Sequence, residues 1–185
     1  MKLIIGLGNP GKTYTETRHN IGKEVVKTSC PSEFHRVKKL EAEIVRVEDV
    51  VYALPDTHMN ESGRSVQKLR AWFTVSPQDI WIVHDDLDFP FGMIKIQQGG
   101  GAAGHNGVFS VMNALGTDEF TRFRMGIGKP SKVLPETYVL SRFSRDEKKQ
   151  IPEIKERFTR MIDEALHQGV PSAMSLYNRR VHEEH

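Results

Sequence analysis

The sequence predicts an α/β fold: one domain, residues 1–185, with a twisted, mixed but mostly parallel sheet and helices on both of its faces. Short apolar segments alternate along the chain with segments of helical spacing, which is typical of strands connected by helices. Several of the apolar segments end directly in polar side chains, and open α/β sheets place their functional sites at that edge. The length is sufficient for one sizeable core, and no repeat or low-complexity linker divides the chain.

The composition excludes several classes of protein. A single cysteine, Cys30, excludes an internal disulfide, and we interpret it as a reduced residue rather than a nucleophile because no activating partner is adjacent. No apolar run approaches the roughly 18 residues of a membrane span, and no basic segment followed by an apolar one opens the chain. We therefore expect a cytoplasmic protein that is neither exported nor embedded in a membrane. The net charge of +2 permits a nucleic-acid partner without requiring one.

The first predicted element is a strand over residues 2–7, which runs into the glycine pattern Gly6-x-Gly8-x-x-Gly11. Dinucleotide-binding folds use a similar pattern, because glycines let the backbone approach a pyrophosphate. Such a site also needs a second parallel strand and an acidic residue about 20 positions later. Here residues 31–33 at that distance indicate a turn, and the strands over 41–47 and 50–54 are close enough to form an antiparallel hairpin. The sequence therefore disfavours a dinucleotide site.

The middle of the chain continues the alternation. Strands are predicted over residues 81–83, 92–97 and 123–128, and helices over 61–73 and 107–115. The first of these helices is predicted to bury one apolar face, formed by Val66, Leu69, Trp72 and Phe73.

The last third is predicted to be helical. It opens with a capping box in which Ser144 and Glu147 satisfy each other's free backbone donors. Pro152 either kinks this helix or starts a second one. Beyond it, helical spacing predicts a buried stripe formed by Ile154, Phe158, Met161, Ile162 and Ala165.

Polar residues cluster at three points where a predicted strand gives way to a helix. The first cluster contains Asn9 and His19, the second is residues 57–60, and the third is the glycine-rich stretch 99–107. The strand over 81–83 also ends in polar residues, His84 and Asp85. Because such junctions gather at one rim of an open sheet, we expect five side chains to converge on one crevice: Asn9, His19, Asn60, Asp85 and Asn106.

A histidine beside an aspartate makes a usable general base at neutral pH. The carboxylate of Asp85 would fix the tautomer of His19 and favour the imidazolium that forms when water loses a proton. Asparagine amides both donate and accept hydrogen bonds, which suits them to hold a carbonyl group and a water molecule. The sequence contains no Gly-x-Ser-x-Gly motif, so water is the expected nucleophile. These residues together predict hydrolysis of an activated carbonyl.

Five short motifs follow one another along the chain. They contain Gly6, Gly8, Asn9, Pro10, Gly11, Tyr14, Thr17, Arg18, His19 and Asn20, then Met59, Asn60, Ser62 and Gly63, then His84 and Asp85, then Gly104, His105, Asn106 and Gly107, and finally Arg122, Arg124, Gly126, Ile127, Gly128 and Pro130. In this order and register, over residues 2–143, the sequence resembles the bacterial peptidyl-tRNA hydrolases. The helical tail agrees with them only in character.

The resemblance implies cleavage of the ester between a peptide and the 3′ ribose of tRNA, which recycles tRNA from stalled translation. It implies a monomer that uses no metal or cofactor. In the implied site, His19 is the general base and Asp85 is its orienting partner. The resemblance also implies that Asn9, Asn60 and Asn106 hold the peptide, the water and the developing oxyanion. It implies that Tyr14, Met59 and His105 line the cleft.

The implied partner is peptidyl-tRNA, contacted at its 3′ CCA end and acceptor stem. Basic side chains in segments that flank the crevice could bind its phosphates: Lys95, Arg122, Arg124, Lys129 and Lys132. Scattered basic residues are also typical of a solvated surface, and Arg124 is the one that best matches a family position. Three residues depart from the family pattern: His58, Ala103 and Gln97. Gln97 stands where a phosphate-binding lysine is frequent, and Lys95 on the same face could replace it.

Simpler structural explanations apply to the asparagines. Asn9 precedes a proline and a glycine, which suits a tight turn without any catalytic role. Asn60 and Asn106 each suit the start of a helix.

Two other functions are possible. A metallohydrolase would draw its ligands from His84, Asp85, Asp86 and Asp88 or from residues 182–185. Consecutive strand residues point to opposite faces, however, and the terminal histidines lack the spacing of zinc proteases. An RNA-binding module without catalysis is the second alternative, and the presence of both His19 and Asp85 argues against it.

Overall fold

The computed structural model describes residues 1–30 and 32–178, and its central feature is a seven-stranded sheet. In chain order the strands are β1 Lys2–Gly6, β2 His35–Val37, β3 Ala42–Val47, β4 Val50–Pro55, β5 Ile80–Asp86, β6 Ile94–Gln98 and β7 Thr121–Gly126. The helices are α1 Ile21–Ser29, α2 Ser62–Phe73, α3 Asn106–Leu115, α4 Pro135–Val139, α5 Arg145–Gln168 and α6 Val170–Tyr177. The predicted α/β class is confirmed.

The strands lie in the order β2-β3-β4-β1-β5-β7-β6. The four central strands, β4, β1, β5 and β7, are parallel to one another, whereas the pairs β2–β3, β3–β4 and β6–β7 toward the two edges are antiparallel. The sheet is therefore mixed with a parallel centre, and the predicted hairpin is the β3–β4 pair. The first strand after α1 is the edge strand β2, which is not the arrangement of a dinucleotide-binding unit. Parallel pairing places the carboxyl ends of β1, β5 and β7 at one rim.

Side chains alternate along each strand, so the sheet has two apolar faces. Ile4 and Trp81 face a layer that contains α1, α5 and α6, whereas Leu3 and Ile82 face a layer that contains α2 and α3. All four side chains are fully buried. The helices on both faces follow from this pattern, because each central strand buries both of its sides.

Gly63 lets α2 and α3 pack closely. A Cβ atom at this position would lie 2.0 Å from the carbonyl oxygen of Ser110, so a larger residue does not fit without moving a helix. The Gly63 N–H donates to Ser110 Oγ at 3.0 Å. This crossing fixes α3 on the sheet, and the loop that precedes α3 contributes to the rim.

The prediction that Trp72 packs into the core is wrong. Val66 and Leu69 are buried, but the Trp72 side chain is 55% exposed. At 3.6 residues per turn, Trp72 lies about 120° around the helix from Val66 and falls outside the buried stripe. Its ring instead lies under Lys39, whose Nζ is 3.4 Å from the ring centroid.

The helical tail forms as predicted at its start and along its buried stripe. The Glu147 N–H donates to Ser144 Oγ at 3.3 Å, and the Ser144 N–H donates to Glu147 Oε2 at 2.7 Å. Helix α5 continues through Pro152 to Gln168, so the proline does not start a second helix, and α6 begins only after Gly169. The stripe is buried at all five predicted positions: Ile154, Phe158, Met161, Ile162 and Ala165. None of the helices in the described ranges is both long enough and apolar enough to cross a membrane.

Candidate active site

The loop after β1 and the end of β5 bring His19 and Asp85 together. His19 lies in a short helical turn, Arg18–Asn20, and Asp85 is the penultimate residue of β5. Because β1 and β5 are parallel neighbours, residues that follow β1 reach the end of β5. His19 Nδ1 lies 2.9 Å from Oδ1 and 3.0 Å from Oδ2 of Asp85. With Nδ1 donating to the carboxylate, Nε2 is the ring atom that can accept a proton.

The carboxyl group of Asp85 is held in its ionised form. Burial by itself would raise the pKa of this group, but the hydrogen bonds and fields of His19 and His105 act in the opposite direction and hold its pKa well below the usual range. Asp85 is therefore a carboxylate across the physiological range of pH.

His105 contacts the same carboxylate, a role that the sequence analysis missed. Its Nε2 lies 3.0 Å from Asp85 Oδ1. Its Nδ1 accepts from the N–H groups of Gly107 and Val108, at 3.1 Å and 3.2 Å, so the ring is also the N-cap of α3. The glycine-rich stretch before His105 indicated a helix start, but nothing in the sequence indicated the contact with Asp85.

Asn9 is fixed by a pair of hydrogen bonds with Asn20. The Asn9 N–H donates to Asn20 Oδ1 at 2.8 Å, and Asn20 Nδ2 donates to the Asn9 carbonyl at 2.9 Å. Asn9 Oδ1 accepts from the Met59 N–H at 2.8 Å, which leaves its amide nitrogen to donate to a ligand. Asn20 belongs to the motif that carries the family resemblance, but the sequence analysis gave it no role.

The other predicted residues come together only in part. Asn106 is exposed at the start of α3 and lines the same cavity as His19. Asn60 is exposed in the turn Met59–Glu61 and lies outside the wall of that cavity. The Met59 side chain is buried in the layer between the sheet and α2 and α3. Tyr14 is half-buried, with its ring edge-on to His58 at 6.3 Å between centroids.

A cavity of about 190 Å³ opens at this rim. Its lining residues are His19, Asp85, Asp86, Leu87, Ala102, Ala103, Gly104, His105, Asn106, Pro135, Glu136 and Val139. The last three belong to α4, which forms the outer wall. Asn9 does not line this cavity and instead borders a neighbouring depression, together with Asn20 and Lys23. The cavity is therefore closed on one side by the sheet rim and on the other by a short helix.

Arg18 connects the turn that carries His19 to α4, which forms the outer wall, and to α5. Its Nη1 and Nη2 donate to the two carboxylate oxygens of Glu147, at 2.8 Å and 2.7 Å. Its guanidinium carbon lies 4.3 Å from the centroid of the Tyr138 ring. A bidentate, stacked arginine of this kind is fixed in orientation. Arg18 belongs to the first family motif, but this connection to α4 and α5 was not predictable from the sequence.

Arg124, the residue expected to bind phosphate, is buried and paired within the protein. Its Nε donates to Asp86 Oδ2 at 2.7 Å, and its Nη2 lies 2.6 Å from the same oxygen. Its Nη1 donates to Gln97 Oε1. Gln97 therefore binds an arginine of the neighbouring strand. The phosphate role of Arg124 stays a prediction, and any phosphate would share this guanidinium with Asp86.

The remaining basic residues differ in environment. Arg122 is buried and donates to the carbonyl oxygens of Gly99, Gly100 and Gly101, so it holds the glycine-rich loop. Lys95 is half-buried, and its Nζ lies 5.4 Å from the centroid of the Phe89 ring. Lys129 and Lys132 are exposed, and Lys129 Nζ lies 2.8 Å from Asp88 Oδ1.

The residues proposed above as metal ligands do not form a set. His84 Nδ1 donates to the backbone carbonyl of Asp85 at 2.6 Å, and burial, followed by the effect of His105, holds the pKa of the His84 ring well below its usual value. Asp86 and Asp88 are paired with Arg124 and Lys129. Residues 182–185 lie outside the described part of the chain.

In the described ranges, ligand atoms of His19, Asp85 and His105 lie within 4.8 Å of one another, which is a spacing that a metal ion could occupy. Two hydrogen bonds account for this spacing, because each imidazole already donates to the carboxylate. The geometry is also one in which a histidine could act as a general base oriented by a carboxylate.

Comparison with known proteins shows the family of the chain. The family model described as peptidyl-tRNA hydrolase matches residues 3–185. A peptidyl-tRNA hydrolase of Chloroflexus aggregans is 40% identical, over 96% of this chain and 99% of its own, and one of Mycolicibacterium smegmatis is 41% identical over 94% and 95%. The crystal structure of peptidyl-tRNA hydrolase from Acinetobacter baumannii superposes with a TM-score of 0.88 at 33% identity, covering 97% of this chain and 95% of the other. The chain therefore belongs to the peptidyl-tRNA hydrolase family.

Proposed function

We propose that this protein hydrolyses the ester joining a peptide to the 3′ ribose of tRNA, using water activated by His19. Membership of the peptidyl-tRNA hydrolase family supports the substrate class. The observation that supports the chemistry is the buried His19–Asp85 pair, 2.9 Å apart, in the wall of the cavity. No serine nucleophile is needed in this scheme, because the base acts directly on water.

The proposed reaction has two steps. In the first, the water oxygen attacks the ester carbonyl carbon while His19 Nε2 takes a water proton, and a tetrahedral oxyanion forms. The charge of Asp85 stabilises the imidazolium. In the second step, the bond from that carbon to the ribose 3′ oxygen breaks, and the imidazolium gives its proton to that oxygen. The products are a peptide carboxylic acid, which ionises, and tRNA with a free 3′ hydroxyl group.

Three asparagines are proposed to hold the reacting groups. The free amide nitrogen of Asn9 is a donor of fixed orientation, because Met59 and Asn20 hold the rest of the residue. A preorganised donor of this kind is worth about 3 kcal/mol when it points at a developing oxyanion. Asn106, at the cavity wall, and Asn60, beside it, are proposed to hold the water and the peptide. Tyr14 completes the peptide-facing surface, His105 lines the cleft beside His19, and the Met59 side chain supports the surface from the core.

The 3′ CCA end and acceptor stem are proposed to lie along the rim near β6 and β7. Lys95, Arg124 and Lys132 would contact phosphates there. Charged contacts of this type make binding depend on salt, with a slope that grows by about 1 for each phosphate contact. We further propose that the protein works as a cytoplasmic monomer and returns tRNA from stalled translation. The net charge of +2 is compatible with a polyanionic substrate.

Hydrolysis of N-acetyl-aminoacyl-tRNA tests the mechanism. We expect the wild type to be active, with and without a chelator, and His19→Ala to lose at least about 10²-fold in kcat because the general base is removed. Asp85→Asn is expected to lose activity as well, because the amide no longer favours the required tautomer. Full activity in His19→Ala would contradict the proposal. Loss of activity with chelator and recovery with zinc would favour a metallohydrolase.

The same assay separates an enzyme from a binding module. A module without catalysis would bind tRNA, measured by filter binding, and leave the ester intact in the wild type. The phosphate contacts are tested independently by Lys95→Ala, which is expected to weaken tRNA binding and to reduce its salt dependence by about one unit of slope. Lys149→Ala is the matched control, since Lys149 is exposed on α5 and paired with Asp146 within its own helix. An unchanged slope in Lys95→Ala would exclude Lys95 from the phosphate contacts.

A further inference from the structure

His105 contacts Asp85 almost as closely as His19 does, but the proposed reaction uses only His19. The two imidazole nitrogens lie 2.9 Å and 3.0 Å from the same oxygen, Asp85 Oδ1. A residue that only lined the cleft would not need this contact. The carboxylate of Asp85 therefore has a second side-chain donor whose function the proposed reaction does not explain.

The two ends of the His105 ring have different partners, and these partners determine its tautomer. Nδ1 accepts from two backbone N–H groups of α3, those of Gly107 and Val108. A nitrogen that accepts cannot carry a proton, so in the neutral ring the proton is on Nε2. Nε2 therefore donates to Asp85. The amino end of α3 sets the protonation of a ring that binds the carboxylate.

The ring also has little freedom to move. The side chains of His105 and Asp85 are only 8% and 2% exposed. The ring of buried His84 lies edge-on to that of His105, with 4.7 Å between centroids, and the ring of His19 lies 4.8 Å away. The close crossing of α2 and α3 fixes the helix that His105 caps. His105 therefore joins a rigid helix to the carboxylate.

We propose that His105 is a positioning residue for the reaction, acting through Asp85. It holds Oδ1 at a fixed place, so that Asp85 always presents an acceptor to the Nδ1–H of His19 and keeps Nε2 of His19 free to take a proton. Without His105, the carboxylate would lose one of its two side-chain donors and could rotate about its Cβ–Cγ bond. This proposal rests on the general-base role of His19 proposed above.

A matched pair of variants separates the two ends of the ring. His105→Asn keeps an oxygen near the position of Nδ1 and can still cap α3, but it is too short to donate to Asp85. His105→Gln places an amide nitrogen near the position of Nε2 and loses the cap. We expect His105→Asn to lose about tenfold in kcat at unchanged KM, which corresponds to one hydrogen bond to a charged group, and to keep its thermal midpoint. We expect His105→Gln to keep kcat within about threefold and to lose about 2–4 °C.

The double variant Asp85→Asn/His105→Asn provides a readout that a merely structural role would not change. If His105 acts through Asp85, this variant loses no more kcat than Asp85→Asn alone. A further tenfold loss, or an effect on KM alone, would overturn the proposal in favour of direct substrate contact. Equal kcat in wild type and His105→Asn would also overturn it. Assaying His19→Ala alongside distinguishes these outcomes from failure of the proposed function, because an active His19→Ala would refute the general base itself.

Discussion

Asp85 and Asp86 are adjacent residues at the end of β5, and both are buried, but their surroundings differ. Asp85 binds two imidazoles, at 2.9 Å and 3.0 Å. Asp86 binds one guanidinium, that of Arg124, at 2.7 Å and 2.6 Å. Successive residues of a strand point to opposite faces, so the two carboxylates point in different directions at the end of β5.

The difference between the two sites is the chemistry of the partner. An imidazole gains and loses a proton near neutral pH, whereas a guanidinium stays charged. The His19–Asp85 pair can therefore accept a proton and return it within one reaction. The Arg124–Asp86 pair has no such freedom, and it fixes β7 to β5. Burial of a carboxylate is common to both sites and does not by itself identify the catalytic one.

Replacing each aspartate with asparagine in turn tests most directly whether the two carboxylates have different functions. Asp85→Asn is expected to lower kcat by at least about 10²-fold, because the amide no longer favours the required tautomer of His19, and to affect folding less, because the amide oxygen can still accept from an imidazole N–H. Asp86→Asn is expected to keep kcat within about threefold at saturating substrate and to lower the free energy of unfolding by about 3–5 kcal/mol, because Arg124 loses its partner. Ester hydrolysis and urea unfolding measure the two quantities. The reverse pattern would contradict our assignment of the two sites.

Replacing Arg124 tests the same ion pair from its positive partner. Arg124→Met leaves Asp86 buried without its guanidinium, so we expect a loss of about 3 kcal/mol in the free energy of unfolding. If Arg124 also binds a phosphate, the salt dependence of tRNA binding falls by about one unit of slope. Binding isotherms at several salt concentrations measure this slope, with Asp86→Asn as the control that disturbs the ion pair but keeps the arginine. An equal slope in wild type and Arg124→Met would leave Arg124 with a structural role only.

Lys23 provides a third charge, half-buried, on which carboxylates act only through their fields. Burial, with a contribution from Lys27, lowers its pKa to about 8, although Glu43 and Asp56 act in the opposite direction. A lysine whose folded pKa lies below its unfolded value near 10.5 destabilises the folded protein at neutral pH, and stability rises as the pH increases from about 8 to 10.5. We expect Lys23→Met to gain about 1 kcal/mol at pH 7 and to remove this rise. The free energy of unfolding, measured in urea from pH 7 to 10, tests the prediction. The same dependence of this free energy on pH in wild type and Lys23→Met would contradict it.

The smallest expected effect concerns the loop that carries His105. Ala103 has a φ of 49°, in the left-handed region that favours glycine. We expect Ala103→Gly to raise the free energy of unfolding by about 0.5 kcal/mol, because relief of strain exceeds the added entropy of the unfolded chain. Ala102→Gly is the control. Because Ala102 does not have a positive φ, this variant is expected to be less stable than the wild type. A loss of stability in Ala103→Gly would contradict the strain argument.

Much of the fold was predictable because its signals are local. The β3–β4 hairpin follows from two strand patterns separated by a short turn, and the start of α5 follows from the spacing of Ser144 and Glu147. Trp72 was predicted wrongly because apolar spacing near the end of a helix does not show where the contacting face ends. Its exposure depends on which part of α2 lies over α3.

Part of the site was predictable for a topological reason. Parallel strands end at one rim, so His19 and Asp85 could be expected to meet without knowledge of any contact. The pairing of Arg124 with Asp86 and of Asn20 with Asn9 was not predicted, because each joins residues whose separation in the chain carries no periodic signal. The role of Asn9 as a catalytic donor and the phosphate contacts of Lys95, Arg124 and Lys132 stay predictions.

The amino-acid sequence was sufficient to predict the class of fold, every strand except β2, the helices α2, α3 and α5, the family and the residue types available for catalysis. Hydrophobic periodicity and turn chemistry act over a few residues, and family motifs are written in the order of the chain. The partners of most polar groups follow only from the tertiary structure. The family motif singled out Asp85 as the partner of His19, but no local signal indicated the pairing of Asp86 with Arg124, and His105 could equally face solvent, substrate or carboxylate. Their partners depend on how β5, β7 and α3 pack, because a hydrogen bond requires two atoms within about 3 Å and in line, and no local pattern fixes that distance.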